Sequence, residues 1–254
     1  MNRHSLLDLS KKAYRKLFPV KPNDWQLRAS RDQLRLKQVL PRLIEKDSNC
    51  LDIGAHKGYF LDLFRTLAPD GEHYAFEPLP ELYDELRTKY PEVRSMQLAL
   101  SNTTGNTNFN KVVGSLAWSG LKPQEYPQEL EIQEIIVQTN RLDNVLPQSQ
   151  KIDFIKIDVE GAEMEVLKGA IGLITKYKPR ILFEHALIHT SHYNVTPTEI
   201  FNYFRAIGMD VYRCDLSLQY SEQQFSDICY ASYNSNYNRV AETNFIALNS
   251  QDFN

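Results

Sequence analysis

The sequence predicts an α/β protein built on an open, doubly wound parallel sheet, and three observations carry that prediction. From residue 49 onward, strand-like runs at 49–53, 72–77, 93–99, 152–159, 180–185, 209–214 and 243–249 alternate with helical stretches. This is the rhythm of strands joined by helical crossovers. The run IDFIKIDV is apolar except at Asp153, Lys156 and Asp158, as expected of a strand covered by helices on both faces. The first strand, within LDIGAHKGYF, runs straight into a turn holding Gly54 and Gly58. In an open parallel sheet, ligands sit beyond the carboxyl ends of the strands, near the point where strand order reverses.

Ahead of the sheet, MNRHSLLDLSKKAYRKLF spaces Leu6, Leu9, Ala13, Leu17 and Phe18 at near-helical intervals, with Arg3, Lys11, Lys12, Arg15 and Lys16 between them. A basic amphipathic helix suits a membrane surface or the flank of a globular domain. The run is short and carries no lipidation signal, which favours the flank. Ser30 and Gln33 form a capping-box pair ahead of Leu34, Leu36, Val39, Leu40 and Leu43, predicting a helix that Pro41 kinks or breaks. Residues 1–47 are therefore expected as a helical extension on a domain spanning 48–254.

Within that domain, Tyr59, Phe60, Leu63, Phe64 and Leu67 form one helical face, and Ala162, Val166, Leu167, Ala170 and Ile174 another. Thr196 as N-cap, Pro197 at the first helical position and Glu199 three residues after the cap open a later helix that stops at Gly208. Two stretches break the rhythm. Residues 101–147 predict extra β structure and a Pro-rich loop where a plain fold has one helix. Residues 215–242 are polar and hold Tyr220, Tyr230, Tyr233 and Tyr237; they read as an active-site lid or a solvated excursion.

Composition narrows the function. Hydrophobic residues make up 42% and charged residues 24% of 254, an ordinary globular balance. The net charge of -3 and the lack of a basic stripe argue against nucleic acid as a partner. Three scattered cysteines, Cys50, Cys214 and Cys229, suit reduced thiols rather than disulfides or a zinc site. No apolar run is long enough for a membrane span, and the N-terminus lacks a signal-peptide apolar region. A cytoplasmic protein is expected.

The glycine turn has the traits of a nucleotide-like cofactor site. Glycines there let the backbone turn and approach a ligand, and the following helix directs free N–H groups at it. The next strand ends in AFEP, which puts Glu77 about 20 residues after Gly54, where a carboxylate accepts both ribose hydroxyls. A dinucleotide fingerprint requires G-x-G-x-x-G, but this chain has Gly54, His56 and Tyr59 at those places. That spacing opposes nicotinamide-dependent oxidoreduction.

The pattern instead resembles class I S-adenosylmethionine-dependent methyltransferases, whose first motif has an acidic residue two before the first glycine: here Asp52, Gly54 and Gly58, with His56 where the longer form has glycine. FIKIDVEGAEMEVLKGA at 154–170 and ILFEH at 181–185, together with LDIGAHKGYF and AFEP, resemble the FkbM-type family over about residues 48–249. The resemblance implies a seven-stranded sheet whose last strand, TNFIAL, is antiparallel, and methylation of hydroxyls on sugars, polyketides and other natural products. It implies that Asp52, Gly54, Ala55, His56 and Gly58 line the methionine part of the cofactor. Glu77, with Pro78 beside it, takes the ribose, and Ala99 and Leu100 lie near adenine. A non-catalytic cofactor-binding protein, or a methyltransferase acting on nitrogen or a carboxylate, are the alternatives; nucleic-acid methylation lacks an Asn-Pro-Pro-aromatic motif.

Asp158 and Glu160 end the strand in IDVEG, where a carboxylate has three tasks open to it: holding the cofactor's amino group, orienting the acceptor, or binding a divalent cation. Glu160 and Glu163 also suit the first turn of a helix. Lys156 needs a buried partner, for which Glu184 is the candidate. EHALIHTSHYN puts Glu184, His185, His189 and His192 near the acceptor edge. His185 is the expected general base for a hydroxyl acceptor, with Asp158 and Glu184 as its catalytic neighbours. His189 and His192, with Glu184 or Asp158, are candidate metal ligands.

Overall fold

The computed structural model describes residues 24–124, 130–236 and 241–251. The basic helix expected at 1–18, and Tyr237, lie outside the described residues. The described residues open with α1 (Asp24–Leu43), then β1 (Cys50–Ile53), α2 (Tyr59–Leu67), β2 (His73–Phe76), α3 (Pro80–Lys89) and β3 (Arg94–Met96). An excursion follows: β4 (Ala99–Leu100), β5 (Gly105–Val112), a 3-10 turn at Leu116–Trp118, β6 (Ile132–Asn140) and α4 (Leu142–Val145). The second half contains β7 (Phe154–Ile157), α5 (Glu163–Gly169), α6 (Ile171–Tyr177), β8 (Arg180–Glu184) and α7 (Leu187–Thr190). It closes with α8 (Pro197–Ala206), β9 (Met209–Arg213), α9 (Glu222–Asn234) and β10 (Asn244–Asn249).

Seven strands form one sheet in the order β3-β2-β1-β7-β8-β10-β9. All pairings are parallel except those of β10, which runs antiparallel to β8 and β9. Successive side chains point to opposite faces of a strand, and the core divides accordingly. Ile155, Ile157 and Phe183 join the cluster under α5, α6, α8 and α9. Phe154 and Leu182 join the cluster under α1, α2 and α3. Strand order reverses between β1 and β7, so the crevice at their carboxyl ends is the natural ligand site.

Four sequence expectations change. The run 93–99 is two strands: Arg94–Met96 edges the main sheet, while Ala99–Leu100 turns away to pair with Thr139–Asn140 in a second sheet, β4-β6-β5. There the β5–β6 hairpin covers Ala99 beside Phe109 and Val137. The first helix starts at Asp24, so Ser30 lies within it and caps nothing. Pro41 falls in its last turn, and the helix ends two residues later, where few backbone bonds remain to be lost. The helical face at 162–174 breaks at Ala170 into α5 and α6.

Within the described part of the tyrosine-rich stretch, Glu222–Asn234 form α9 rather than a solvated excursion, opened by a capping box between Ser221 and Gln224, with Phe225, Cys229 and Ser232 buried. Phe225 packs on Phe245, Phe201 and Tyr220, with its ring centroid 4.7 Å from that of Phe245. By contrast, α8 forms as the sequence predicts, with Thr196 and Glu199 in a complete capping box. Among the described residues no helix is long and apolar enough to cross a membrane. Phe225→Ala, which empties the centre of this cluster, is expected to cost about 3–5 kcal/mol of stability, read as a lower midpoint in urea denaturation.

Candidate functional site

The switch point is held by one buried cation. Lys156 lies opposite Asp52 in the β1–β7 register. Its Nζ donates to the Gly54 carbonyl at 2.7 Å and lies 3.2 Å from Asp52 Oδ1 and 3.7 Å from Asp158 Oδ2. Burial pushes the Asp52 carboxyl up to about 6, against the pull of Lys156. Burial also opposes the charge on Lys156, but Asp52 and Asp158 outweigh it and hold its pKa above the ordinary lysine value. Glu184 is not the partner of Lys156. The residue opposite Lys156 on β8 is Leu182, and Glu184 lies one pleat further along.

The glycine turn leaves β1 in three left-handed steps, at Gly54, His56 and Gly58. Gly54 has φ 76 and His56 φ 47, so His56 takes the backbone conformation that a glycine adopts most easily. A side chain at Gly54 would strike the Asp158 carbonyl oxygen, and one at Gly58 would strike the Tyr90 ring. These glycines therefore allow the left-handed turn, as the sequence suggested, and also make room for protein. The turn is clamped to β2: Gly54 and Ala55 N–H groups donate to the Phe76 carbonyl at 3.0 and 3.1 Å. Glu77 completes the clamp, with Oε2 accepting from His56 N at 2.8 Å and Oε1 from Leu79 N at 3.0 Å. Burial pushes Glu77 up to about 7 despite those two bonds. Each of its oxygens keeps a lone pair for a further donor.

A cavity of about 310 Å³ opens at this edge, within the usual range for small-molecule sites. Of the expected cofactor residues, Gly54, Ala55, His56, Glu77, Pro78, Ala99, Leu100 and Asp158 line it. Asp52 is fully buried and, with Gly58, lies outside the lining; it acts on the cavity through Lys156, which does line it. Sequence reasoning missed Gln33 from α1 and Phe109, Leu116 and Ser119 from the excursion. Gln33 was assigned to a cap, and the apolar residues of the excursion carry no motif. The polar and apolar halves of this wall suit a ligand with a hydroxylated sugar and a flat base.

Beyond Asp158 the wall turns acidic. Glu160, at φ 56, also lines the cavity. Carboxylate oxygens of Asp158, Glu160 and Glu184 lie within 4.8 Å of one another. Burial first, then neighbouring carboxylates, raise Glu160 and Glu184 well above the usual carboxylate range. His189 joins Glu160 from α7: its Nδ1 is 3.2 Å from Glu160 Oε2 and 2.6 Å from Gln124 Oε1. Burial lowers its pKa to about 4, and its Nδ1 makes its hydrogen bond with Gln124 Oε1.

His185 does not face this edge. It is 1% exposed and stacks on Phe225 at 5.8 Å, in the core beneath α9. Adjacent strand residues point to opposite faces, so the chain that brings Glu184 to the crevice turns His185 into the core. Burial lowers its pKa to about 4, and it is removed as the general base. His192 contributes its carbonyl, which accepts from Lys122 Nζ at 3.0 Å.

The model of the methyltransferase FkbM domain matches residues 52–211. The chain is 28% identical over 167 residues to the 2-O-methyltransferase NoeI of Sinorhizobium fredii, covering 59% of this chain and 69% of that protein. It is 26% identical over 166 residues to the hexuronic acid methyltransferase AglP of Haloferax volcanii, covering 64% of this chain and 66% of that one. The crystal structure of methyltransferase FkbM from Methylobacillus flagellatus KT superposes with a TM-score of 0.50 at 14% identity, over 81% of this chain and 44% of that chain; this likeness concerns the fold. The matches span about two thirds of the relatives' lengths and less than half of the crystallised chain.

The buried pair gives a direct test. Lys156→Met leaves Asp52 charged and uncompensated and is expected to lower stability by about 3–5 kcal/mol. Adding Asp52→Asn should recover most of that loss, as measured by urea denaturation of both variants.

Proposed function

This chain belongs to the FkbM methyltransferase family, and from that premise we propose that it transfers a methyl group from S-adenosylmethionine to a hydroxyl oxygen of a sugar, glycan or other small-molecule natural product. One observation carries the reading: a single cavity runs from Glu77, past the glycine turn, to the carboxylates of Asp158 and Glu160. Ala99, Leu100 and Phe109 form the apolar wall suited to adenine, and Glu77 accepts from the ribose hydroxyls. Gly54, Ala55 and His56 present backbone to the methionine end, with Asp158 beside them for its ammonium.

When bound, S-adenosylmethionine supplies an electrophilic methyl on a sulfonium, which becomes a neutral thioether on transfer. The task of this chain is to bring the acceptor oxygen into line with that methyl and to take its proton. Glu160 lines the cavity with its pKa raised, which makes it a better proton acceptor near neutral pH than an ordinary carboxylate. His189 orients it from behind. A carboxylate acceptor is opposed by like-charge repulsion from Asp158 and Glu160, so a hydroxyl is the better reading. NoeI is named as a 2-O-methyltransferase, and neutral sugars with free hydroxyls head the acceptor panel. Three buried free thiols, Cys50, Cys214 and Cys229, suit the reducing conditions of the cytoplasm.

Calorimetric titration with S-adenosylhomocysteine tests the cofactor half. Wild type should bind, and affinity should fall as pH drops through about 7, because protonated Glu77 loses acceptor strength. Glu77→Gln should weaken binding about tenfold or more. Unchanged affinity in Glu77→Gln would move the ribose site elsewhere. Mass spectrometry of sugar and uronic acid panels with S-adenosylmethionine tests the acceptor half, and methylation confined to amines would overturn it.

A further inference from the structure

The excursion after β4 does more than add a second sheet. At Gly120, still paired with Asn110 of β5, the chain leaves the hairpin and passes over Glu160, so that a side chain at Gly120 would lie 3.5 Å from Glu160 Cβ. Lys122 ties this strap to the segment after α7. Its Nζ donates to the His192 carbonyl at 3.0 Å and lies 4.6 Å from the centre of the Tyr193 ring. Two residues on, Gln124 reaches Glu160 and His189 at once: its Nε2 donates to the Glu160 carbonyl at 3.0 Å, and its Oε1 is 2.6 Å from His189 Nδ1.

The amide has only one orientation open to it. A carbonyl oxygen cannot donate, so the Glu160 carbonyl must meet the amide nitrogen, and the amide oxygen is left to face the imidazole. That oxygen only accepts. His189 Nδ1 must therefore carry the hydrogen, which in the neutral ring leaves Nε2 as the acceptor. Glu160 is also held through its backbone. It has φ 56 and is followed by Gly161 at φ 105, and a non-glycine residue in the left-handed region persists only where its surroundings over-determine it. Glu163 Oε1 supplies one side of the grip by accepting from Val159 N at 3.0 Å and Gly161 N at 3.1 Å. Gln124 supplies the other.

We propose that Gln124 is the positioning residue of this edge: one amide, supplied by the excursion, fixes the turn that carries Glu160 and sets the tautomer and orientation of His189 beside it. Its bearing on catalysis rests on the transfer reading above, in which Glu160 takes the proton of the acceptor; the two hydrogen bonds do not. The same excursion lines the cavity through Leu116 and Leu121, so the segment that walls the cavity also holds the proton acceptor in place.

The test compares Gln124→Ala with Lys122→Met in the full chain. Both loosen the strap, but Lys122 grips His192 and Tyr193 rather than Glu160 and His189. Nitrogen-15 NMR of the histidine rings without cofactor, with His189 assigned from His189→Gln, should show the Nδ1–H form in wild type and in Lys122→Met. In Gln124→Ala it should shift toward the Nε2–H form. On an acceptor that wild type methylates, Gln124→Ala should lower kcat about tenfold with the KM for S-adenosylmethionine unchanged. Burial, then Glu184, Asp158 and Glu163, raise the Glu160 pKa, and the Gln124 amide draws it down. Those carboxylates, with His189 and Tyr193, remain in Gln124→Ala, so the acid limb of its kcat/KM profile should move to higher pH, while that of Lys122→Met should stay in place. An Nε2–H ring in wild type, a tautomer unmoved in Gln124→Ala, or equal effects of the two variants on the profile would overturn the proposal. A wild type that methylates nothing yet shows the Nδ1–H form, lost in Gln124→Ala, would support the positioning and count against the transfer reading alone.

Discussion

The site depends on Lys156. It stands at the one place in the sheet where strand order reverses, between Asp52 of β1 and Asp158 beyond β7, and it donates to the carbonyl of Gly54. A charge so deeply buried is tolerated only when paired and hydrogen-bonded. The pairing therefore fixes the two central strands in register and sets the position of the glycine turn. From that turn, Glu77 is clamped by two backbone N–H groups, and the cavity takes its shape.

Around this anchor the protein accumulates carboxylates that the fold would do better without. Glu77, Glu160, Glu163 and Glu184 all have pKa values raised by burial. For such a group the folded state holds its proton to higher pH than the unfolded chain does. Its ionisation therefore subtracts stability as pH rises from the ordinary carboxylate value to the raised one. Retaining four such groups at one crevice is consistent with stability being sacrificed for binding and proton transfer. The core beneath α8 and α9, where Phe183, Phe204, Phe225 and Phe245 interlock, is the counterweight.

Much of the site was legible because its signals are local. An acidic residue, a glycine turn and a carboxylate at the end of the next strand follow one another in sequence, so Gly54, His56 and Glu77 could be read from LDIGAHKGYF and AFEP. The IDVEG turn was legible for the same reason. His185 was misassigned because sequence proximity to Glu184 says nothing about which face of the strand each residue takes. The helix α9 was missed even though Ser221, Gln224 and Phe225 carry a start signal, because polar and tyrosine content obscured it.

The sequence alone determined the α/β class, the seven strand runs, the capped helix at Pro197–Ala206 and the family, since periodicity, capping and contiguous motifs are short-range properties of the chain. Only the tertiary structure decided which charge neutralises Lys156, why Gly54 and Gly58 are glycines, and that Gln33 and Phe109 reach the cavity. It also gathered Asp158, Glu160 and Glu184 at one edge. These are contacts between segments far apart in the chain, set by strand order and register, and no local pattern encodes them.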